Sequence, residues 1–255
     1  MPSLPGLLLR RTTGVAVAWS LACGAPAAHP TGATPPRPPA GAVAQAPSAG
    51  PQVVWRADQQ RLLVAGLPAI ARDGGVVVLA EVRGDGGRGN PNLAIVVRDR
   101  TDRELERRVI LAPADAETLI GADGPGPELR ERIAAGDALL RALHARHQLA
   151  PLTAMEVPPP APRSVRHDPL TATDGRHTVM WSPSRLVIMA GASSLLDAAT
   201  PASWLATPEV HGCTNPAFLG AAAIAAAPRA VVLTIAYLGT DTCWEPDAQQ
   251  HVVTW

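Results

Sequence analysis

The sequence predicts an α+β fold dominated by antiparallel β structure, with two β-meander units flanking one helix. Short β-branched runs separated by Gly, Pro, Asp and Asn occur in both halves of the chain, at spacings that suit hairpins. A single stretch, from Pro127 to Gln148, repeats apolar residues at helical intervals. The third observation is a faint internal echo. Val54-Trp55 followed by Arg61-Leu62-Leu63-Val64-Ala65-Gly66 is matched by Met180-Trp181, Arg185-Leu186-Val187-Ile188 and Ala190-Gly191. A small β-propeller is the rival architecture, and chance likeness between apolar strands is the rival account of the echo.

In chain order, strands are expected at Val53-Val54-Trp55, Arg61 to Ala65, Val76 to Val82, Leu93 to Arg98 and Arg108 to Leu111. In the helix, Leu129, Ile133, Leu140 and Leu143 form one face, and Arg130, Glu131, Arg141 and Arg146 the other. A Pro-rich break from Pro158 to Pro162 follows. Strands resume at Thr178 to Trp181, Leu186 to Ala190, Ala230 to Tyr237 and His251 to Trp255. The organisation expected is residues 1–23 as a signal peptide, 24–51 as a disordered tether, 52–157 as meander plus helix, 158–177 as linker, and 178–255 as a second β unit packed with the first.

The first fifty residues read as an export address. Arg10 and Arg11 precede an uncharged run from Thr12 to Ala22 that ends at Cys23. That run suits a signal-peptide core and falls short of the roughly 20 residues needed to cross a bilayer. Ser20-Leu21-Ala22-Cys23 resembles the lipobox of bacterial lipoproteins, which implies lipidation of Cys23 and a membrane anchor there. The family usually carries Leu three places before the cysteine, whereas Leu21 is two before it. Ala25-Pro26-Ala27 is a competing small-x-small cleavage site that would discard Cys23 and release a soluble periplasmic or secreted protein. The tract from Gly24 to Pro51 is rich in Pro, Ala and Gly, cannot bury enough apolar surface to fold, and would span on the order of 30–80 Å.

With Cys23 lipidated or removed, only Cys213 and Cys243 remain. An even pair in an oxidising compartment reads as a disulfide, closing a loop of about 30 residues for roughly 3–4 kcal/mol. Two reduced, buried thiols are the alternative.

Composition narrows the function. The 22 basic and 22 acidic residues cancel, so no long-range field draws the chain to nucleic acid. One Tyr and one Phe offer no stacking platform. Every basic residue other than histidine is arginine, which excludes the Walker A loop, Schiff-base chemistry and Ser-Lys nucleophiles. No cofactor motif is complete. Gly84-Asp85-Gly86-Gly87-Arg88-Gly89 satisfies GxGxxG, but a further β run follows where a phosphate-binding helix is required, so the segment reads as a hairpin loop. Its Asp85, with Asn90 and Asn92, offers oxygens at a spacing that matches no calcium loop. Ser193-Ser194 has the wrong context for a nucleophile elbow.

Among the histidines, His144 and His147 sit three apart on the helix without an HExxH pattern. His167, Asp168, Asp174 and His177 suit turns. The densest polar cluster is terminal: Asp241, Glu245, Asp247 and His251, around Cys243 and Trp244. It supplies carboxylates and an imidazole for metal binding or acid–base work, against a bland reading as disulfide plus turn. Cys213 to Leu219, Tyr237 to Pro246 and His251 to Trp255 together resemble the tail of exported proteins of GC-rich bacteria with no assigned activity. That resemblance implies location and the disulfide, and no chemistry.

The expectation is therefore an exported, envelope-tethered binding or structural module, anchored through Cys23 and meeting an envelope partner. The alternative is a metal-dependent or hydrolytic periplasmic enzyme using the cluster from Asp241 to His251.

Overall fold

The computed structural model describes residues 50–83, 90–158, 170–205, 217–237 and 247–255. Cys23, Cys213, Cys243, Asp241, Glu245, Asp85, His167 and Asp168 lie outside the described residues, so the anchor, the disulfide and half of the terminal cluster do too. Pro47–Trp255 is one compact unit. Its fold is α+β and mainly antiparallel β.

Strand β1 (Gln52–Arg56) and strand β2 (Arg61–Ala65) form a hairpin. Strands β3 (Ala69–Ile70), β4 (Val76–Glu81), β5 (Leu93–Asp99) and β6 (Glu104–Leu111) then build one sheet. A 3-10 turn at Pro113–Asp115, the short helix α1 (Ala116–Leu119) and the small pair β7 (Ile120–Gly121) and β8 (Gly124–Pro125) lead into helix α2 (Pro127–His147). Strand β9 (Ala150–Pro151) returns to the first sheet beside β3, giving the order β6-β5-β4-β3-β9. Strand β10 (Thr153–Ala154) starts a second sheet.

After it, β11 (Leu170–Thr173), β12 (His177–Trp181), β13 (Arg185–Ala190) and β14 (Ser193–Ala199) form a four-stranded meander. A 3-10 turn at Ala202–Trp204 precedes β15 (Ala217–Ala225), β16 (Ala230–Tyr237) and β17 (Gln249–Thr254), which complete the order β10-β15-β16-β17. These sheets of unequal size, with a helix packed on one of them, are not the repeated blades of a propeller.

Helix α2 forms where its signals place it. Pro127 occupies the first turn, where its missing N–H costs nothing, and Glu128 complements the dipole. Gln148 closes it in the left-handed region (φ 51°), its N–H donating to the His144 carbonyl. Leu129, Leu140 and Leu143 are buried and Ile133 half-buried against the first sheet.

Three apolar seams hold the layers together. Val78, Leu93, Ile95 and Val97 meet α2 and the first hairpin. From the other face of the same strands, Val77, Leu79, Ala94 and Val96 meet Ala223, Ala230, Val232 and Val252 of the second sheet. Val231, Leu233 and Ile235 face Val179, Trp181, Leu186 and Ile188 of the meander. Both faces of β4, β5 and β16 are thus covered, which is why their sequences are continuous apolar runs rather than alternating ones.

The internal echo corresponds to two antiparallel hairpins. Trp55 pairs with Leu62 in the first and Trp181 with Leu186 in the second. Each ends on a glycine with positive φ, Gly66 (80°) and Gly191 (56°).

Edge strand β6 carries Glu104, Glu106, Arg107 and Arg108, and its pairing with β5 shifts register at both ends. Charges and bulges of this kind protect an edge from pairing with other chains.

Candidate functional site

The best-formed polar site lies where the β5–β6 turn meets β17. Asp99 builds the turn: its Oδ1 accepts the Thr101 hydroxyl (2.6 Å) and the N–H groups of Thr101 (2.8 Å) and Arg103 (3.1 Å). These bonds hold the Asp99 carboxyl down at about 2, the Thr101 hydroxyl contributing most. Asp102 follows in the left-handed region (φ 67°), which aspartate tolerates, and its side chain is turned towards β17.

Asp102 is the hub. Its Oδ2 lies 2.8 Å from His251 Nδ1, and its Oδ1 accepts the Val252 N–H (2.8 Å) and an N–H of Arg98 (2.9 Å). Burial pushes this carboxyl up, but the bonds from His251, Val252 and Arg98 outweigh it and hold the group below its ordinary value. Thr254 Oγ1 donates to the Arg100 carbonyl (3.2 Å) and so fastens the turn to β17 a second time.

From Asp102 the charges alternate across the sheet. Arg98 also donates to Glu81 Oε1 (3.0 Å), and Glu81 Oε2 accepts from Arg107 (2.7 Å). Arg107 donates in addition to both oxygens of Glu104 (2.9 and 2.7 Å). Glu104 therefore sits below its ordinary value, held there by Arg107, while Arg107 is pushed up, first by Glu104 and then by Glu81 against the opposing effect of burial. Pairing each charge with an opposite one is what allows charges to stay half-buried in a β sheet.

His251 projects from β17, where it pairs with Leu233, and is 7% exposed. Trp204 stacks on its ring at 4.2 Å and 13°. The Trp204 carbonyl in turn accepts the Tyr237 hydroxyl (3.1 Å), whose surroundings push the phenol up. A carboxylate can only accept, so the contact with Asp102 assigns the proton to Nδ1 and leaves Nε2 as the free edge of the ring.

A cavity of about 230 Å³ opens here, lined by Glu81, Val82, Arg83, Arg98, Arg107, Asp247, Ala248, Gln249 and His251. Arg98 Nε, Arg107 NH1 and His251 Nε2 are buried with no hydrogen-bond partner among the described residues. All three residues line this one cavity. The nitrogens themselves are closed to water, so the cavity is walled by other atoms of these side chains.

Of the terminal cluster, Asp247 and His251 both reach this cavity, and Asp241 and Glu245 lie outside the described residues. No group of three His, Cys, Asp or Glu side chains placed to hold a metal occurs among the described residues. Asp174 and His177 pair at 3.0 Å within the β11–β12 turn, where Asp174 also accepts the N–H groups of Arg176 and His177. Burial pushes Asp174 up, but the bond to His177 and these N–H bonds prevail and hold it at about 2. Their role is to close a hairpin.

Asn92 spends its amide on the backbone, exchanging bonds of 2.7 Å with Arg83, so it latches the two sides of the β4–β5 connection. That connection joins antiparallel strands, as the reading of GxGxxG as a hairpin loop requires, and residues 84–89 themselves lie outside the described residues. His144 packs against Gly50, and the His147 carbonyl accepts the Arg72 N–H (3.1 Å).

Glu81, Arg98, Asp102 and Arg107 are the residues that sequence reasoning missed. For Glu81 and Arg98 the available signal was a charged residue at the end of an otherwise apolar strand. No helix among the described residues is long and apolar enough to cross a membrane. Comparison with protein families, curated proteins and solved structures finds no match to this chain.

Proposed function

We propose that the chain is an exported, envelope-tethered binding module whose ligand site is the cavity between Arg98, Arg107 and His251. The export part rests on Arg10-Arg11, the uncharged run to Cys23 and the Pro-rich tract behind it. The binding part rests on one observation, a cavity of about 230 Å³ whose lining includes Glu81, Arg83, Arg98, Arg107, Asp247 and His251. A wall of charged and polar side chains selects small polar molecules, because an apolar ligand would displace the water that solvates those groups without replacing its hydrogen bonds.

Two experiments test the reading. Cys23→Ala should move the protein from the membrane fraction to the soluble fraction, and equal partitioning would remove the anchor. A thermal-shift screen of small polar compounds should give stabilising ligands whose effect is lost in Ala248→Phe, which sets an aromatic ring at a lining position outside the ionic network. A screen with no ligand sensitive to that substitution would remove the binding site.

One geometry favours a second reading. Asp102 holds His251 as it would hold a general base, and Nε2, closed to water in this structure, would take the reacting proton once the wall of the cavity shifts. The described lining contains no Ser, Thr or Cys, so the imidazole would have to act through water. Hydrolysis of a model ester that is abolished in His251→Asn would establish the enzyme, and unchanged background hydrolysis would dismiss it.

A further inference from the structure

The chain behind the Pro-rich tract enters the domain at an end where arginines gather without acidic partners. Gly50, the first described residue there, packs on the His144 ring near the end of α2, where an added Cβ would lie 3.2 Å from ring atoms. The Arg72 N–H donates to the His147 carbonyl (3.1 Å), which sets the β3–β4 turn against the same helix end. Val76 opposes Asp99, so the β5–β6 turn lies beside it. A Cβ on Gly74 would meet Pro228 Cβ at 2.8 Å, which adds the β15–β16 turn. These elements bring together Arg72, Arg100, Arg141, Arg146 and Arg229, all exposed. None of the five forms an ion pair among the described residues, and the Arg72 side chain bonds only the neutral Gln148 Oε1 (3.0 Å). Asp99, Asp102 and Glu104, near the same end, are already paired with Arg103, Arg98 and Arg107. Against the five stand Asp73 and the Trp255 carboxylate, next to Thr254 opposite Ala230, while Glu106 lies farther up β6 opposite Val97. The balance at this end is cationic.

A helix dipole favours cations in the last turns, which accounts for Arg141 and Arg146. It does not account for Arg100 and Arg229, which come from turns of two different sheets. The whole chain carries no net charge, so attraction through this end is local, acting within a Debye length of about 8–10 Å at 0.1–0.15 M salt. The partner must therefore be held close by something else. On the reading that Cys23 anchors the chain and residues 24–51 tether it, that partner is the bilayer, because the tether enters the domain at the arginine-rich end and brings it down towards the headgroups. We infer that this end docks on an anionic bilayer surface, its guanidiniums set against lipid phosphates. Arginine suits the task, since its planar fork matches phosphate oxygens. Each arginine near such a surface strengthens binding about fivefold, a weak contact for a free domain and an effective one for a tethered domain.

The test is co-sedimentation of the Cys23→Ala chain, which lacks the lipid anchor, with vesicles of phosphatidylglycerol and phosphatidylcholine in equal parts and with vesicles of phosphatidylcholine alone. Binding should require phosphatidylglycerol and fall as salt rises. Arg146→Gln and Arg229→Gln together should weaken it about twentyfold, at about fivefold each. Arg176→Gln, at an exposed arginine in the β11–β12 turn outside this group, should leave it unchanged. If the double variant does not fold, the lipid and salt comparisons decide. Absence of binding to the anionic vesicles, equal binding to phosphatidylcholine alone, or the same loss in Arg176→Gln would overturn the docking surface. Binding to polyglutamate without binding to the anionic vesicles would overturn the lipid assignment and give the surface to an acidic polypeptide. The anchor is judged separately, by the fractionation of Cys23→Ala, so a failure here leaves the tether and the cavity standing.

Discussion

Asp102 and His251 meet at 2.8 Å although 149 positions separate them in the chain, so this contact ties the β5–β6 turn to the last strand. Both side chains are largely withdrawn from solvent, with exposures of 17% and 9%. Breaking a charge network at such a position leaves its other members buried and unmatched. Asp102→Asn should therefore cost about 3 kcal/mol in urea denaturation, well above a typical surface substitution. Loss of less than about 0.5 kcal/mol would mean that the hub does not hold the turn to β17.

Helix packing offers a second test at Gly136. A Cβ there would meet Ile110 Cδ1 at 2.7 Å and Val53 Cγ2 at 3.3 Å. Alanine gains about 1 kcal/mol of helix propensity, but overpacking a filled core costs about 1–3 kcal/mol. Ile110 is fully buried and has little room to give way, so Gly136→Ala should be net destabilising. Adding Ile110→Val removes the clashing methyl, and the double variant should be more stable than the two single losses summed. Strict additivity would contradict the contact.

Acid stability follows from Asp99 and Asp174, both held at about 2, and from Asp102, also held low. In the unfolded chain these groups titrate near 3.9. Their folded values are depressed, so the stability they contribute is present above about pH 4 and is lost as pH falls towards 2. Denaturation midpoints should be level with respect to these groups above about pH 5 and then decline. Asp174→Asn should flatten part of that decline, since one depressed carboxyl is gone. A decline of the same steepness in the variant and the wild type would show that Asp174 is not responsible.

Much of the fold was legible because its elements carry local signals. The expected helix at 127–148 is observed as Pro127–His147, since Pro127 and the helix-ending Gln148 mark its ends. The apolar runs at β4, β5 and β16 announced strands. Strand β15 was missed because Ala217–Ala225 is rich in alanine, a weak strand former, and Gly220 falls where its register with β16 shifts. Its strand character comes from pairing with β16, a tertiary cause that no local window contains.

His251 was singled out from its polar neighbours in sequence, yet the partners observed for it are remote: Asp102 and Trp204. Asp102 reads locally as one more turn residue in Asp99-Arg100-Thr101-Asp102-Arg103, and only the fold reveals what it faces.

The crosslink expected from the even cysteine count is open to direct mapping. Non-reducing peptide analysis of envelope-derived protein should recover Cys213 joined to Cys243, with a loss of roughly 3 kcal/mol on reduction. Free thiols at both positions would count against the oxidised, exported state.

The central claim is that Asp102 fixes the His251 ring in the cavity wall with its proton on Nδ1. Long-range ¹H–¹⁵N correlation of the His251 ring at neutral pH tests it most directly, because it reports which nitrogen carries the proton. The account predicts the proton on Nδ1 in the wild type and a departure from that state in Asp102→Asn. A neutral ring protonated on Nε2, unaffected by Asp102→Asn, would contradict it.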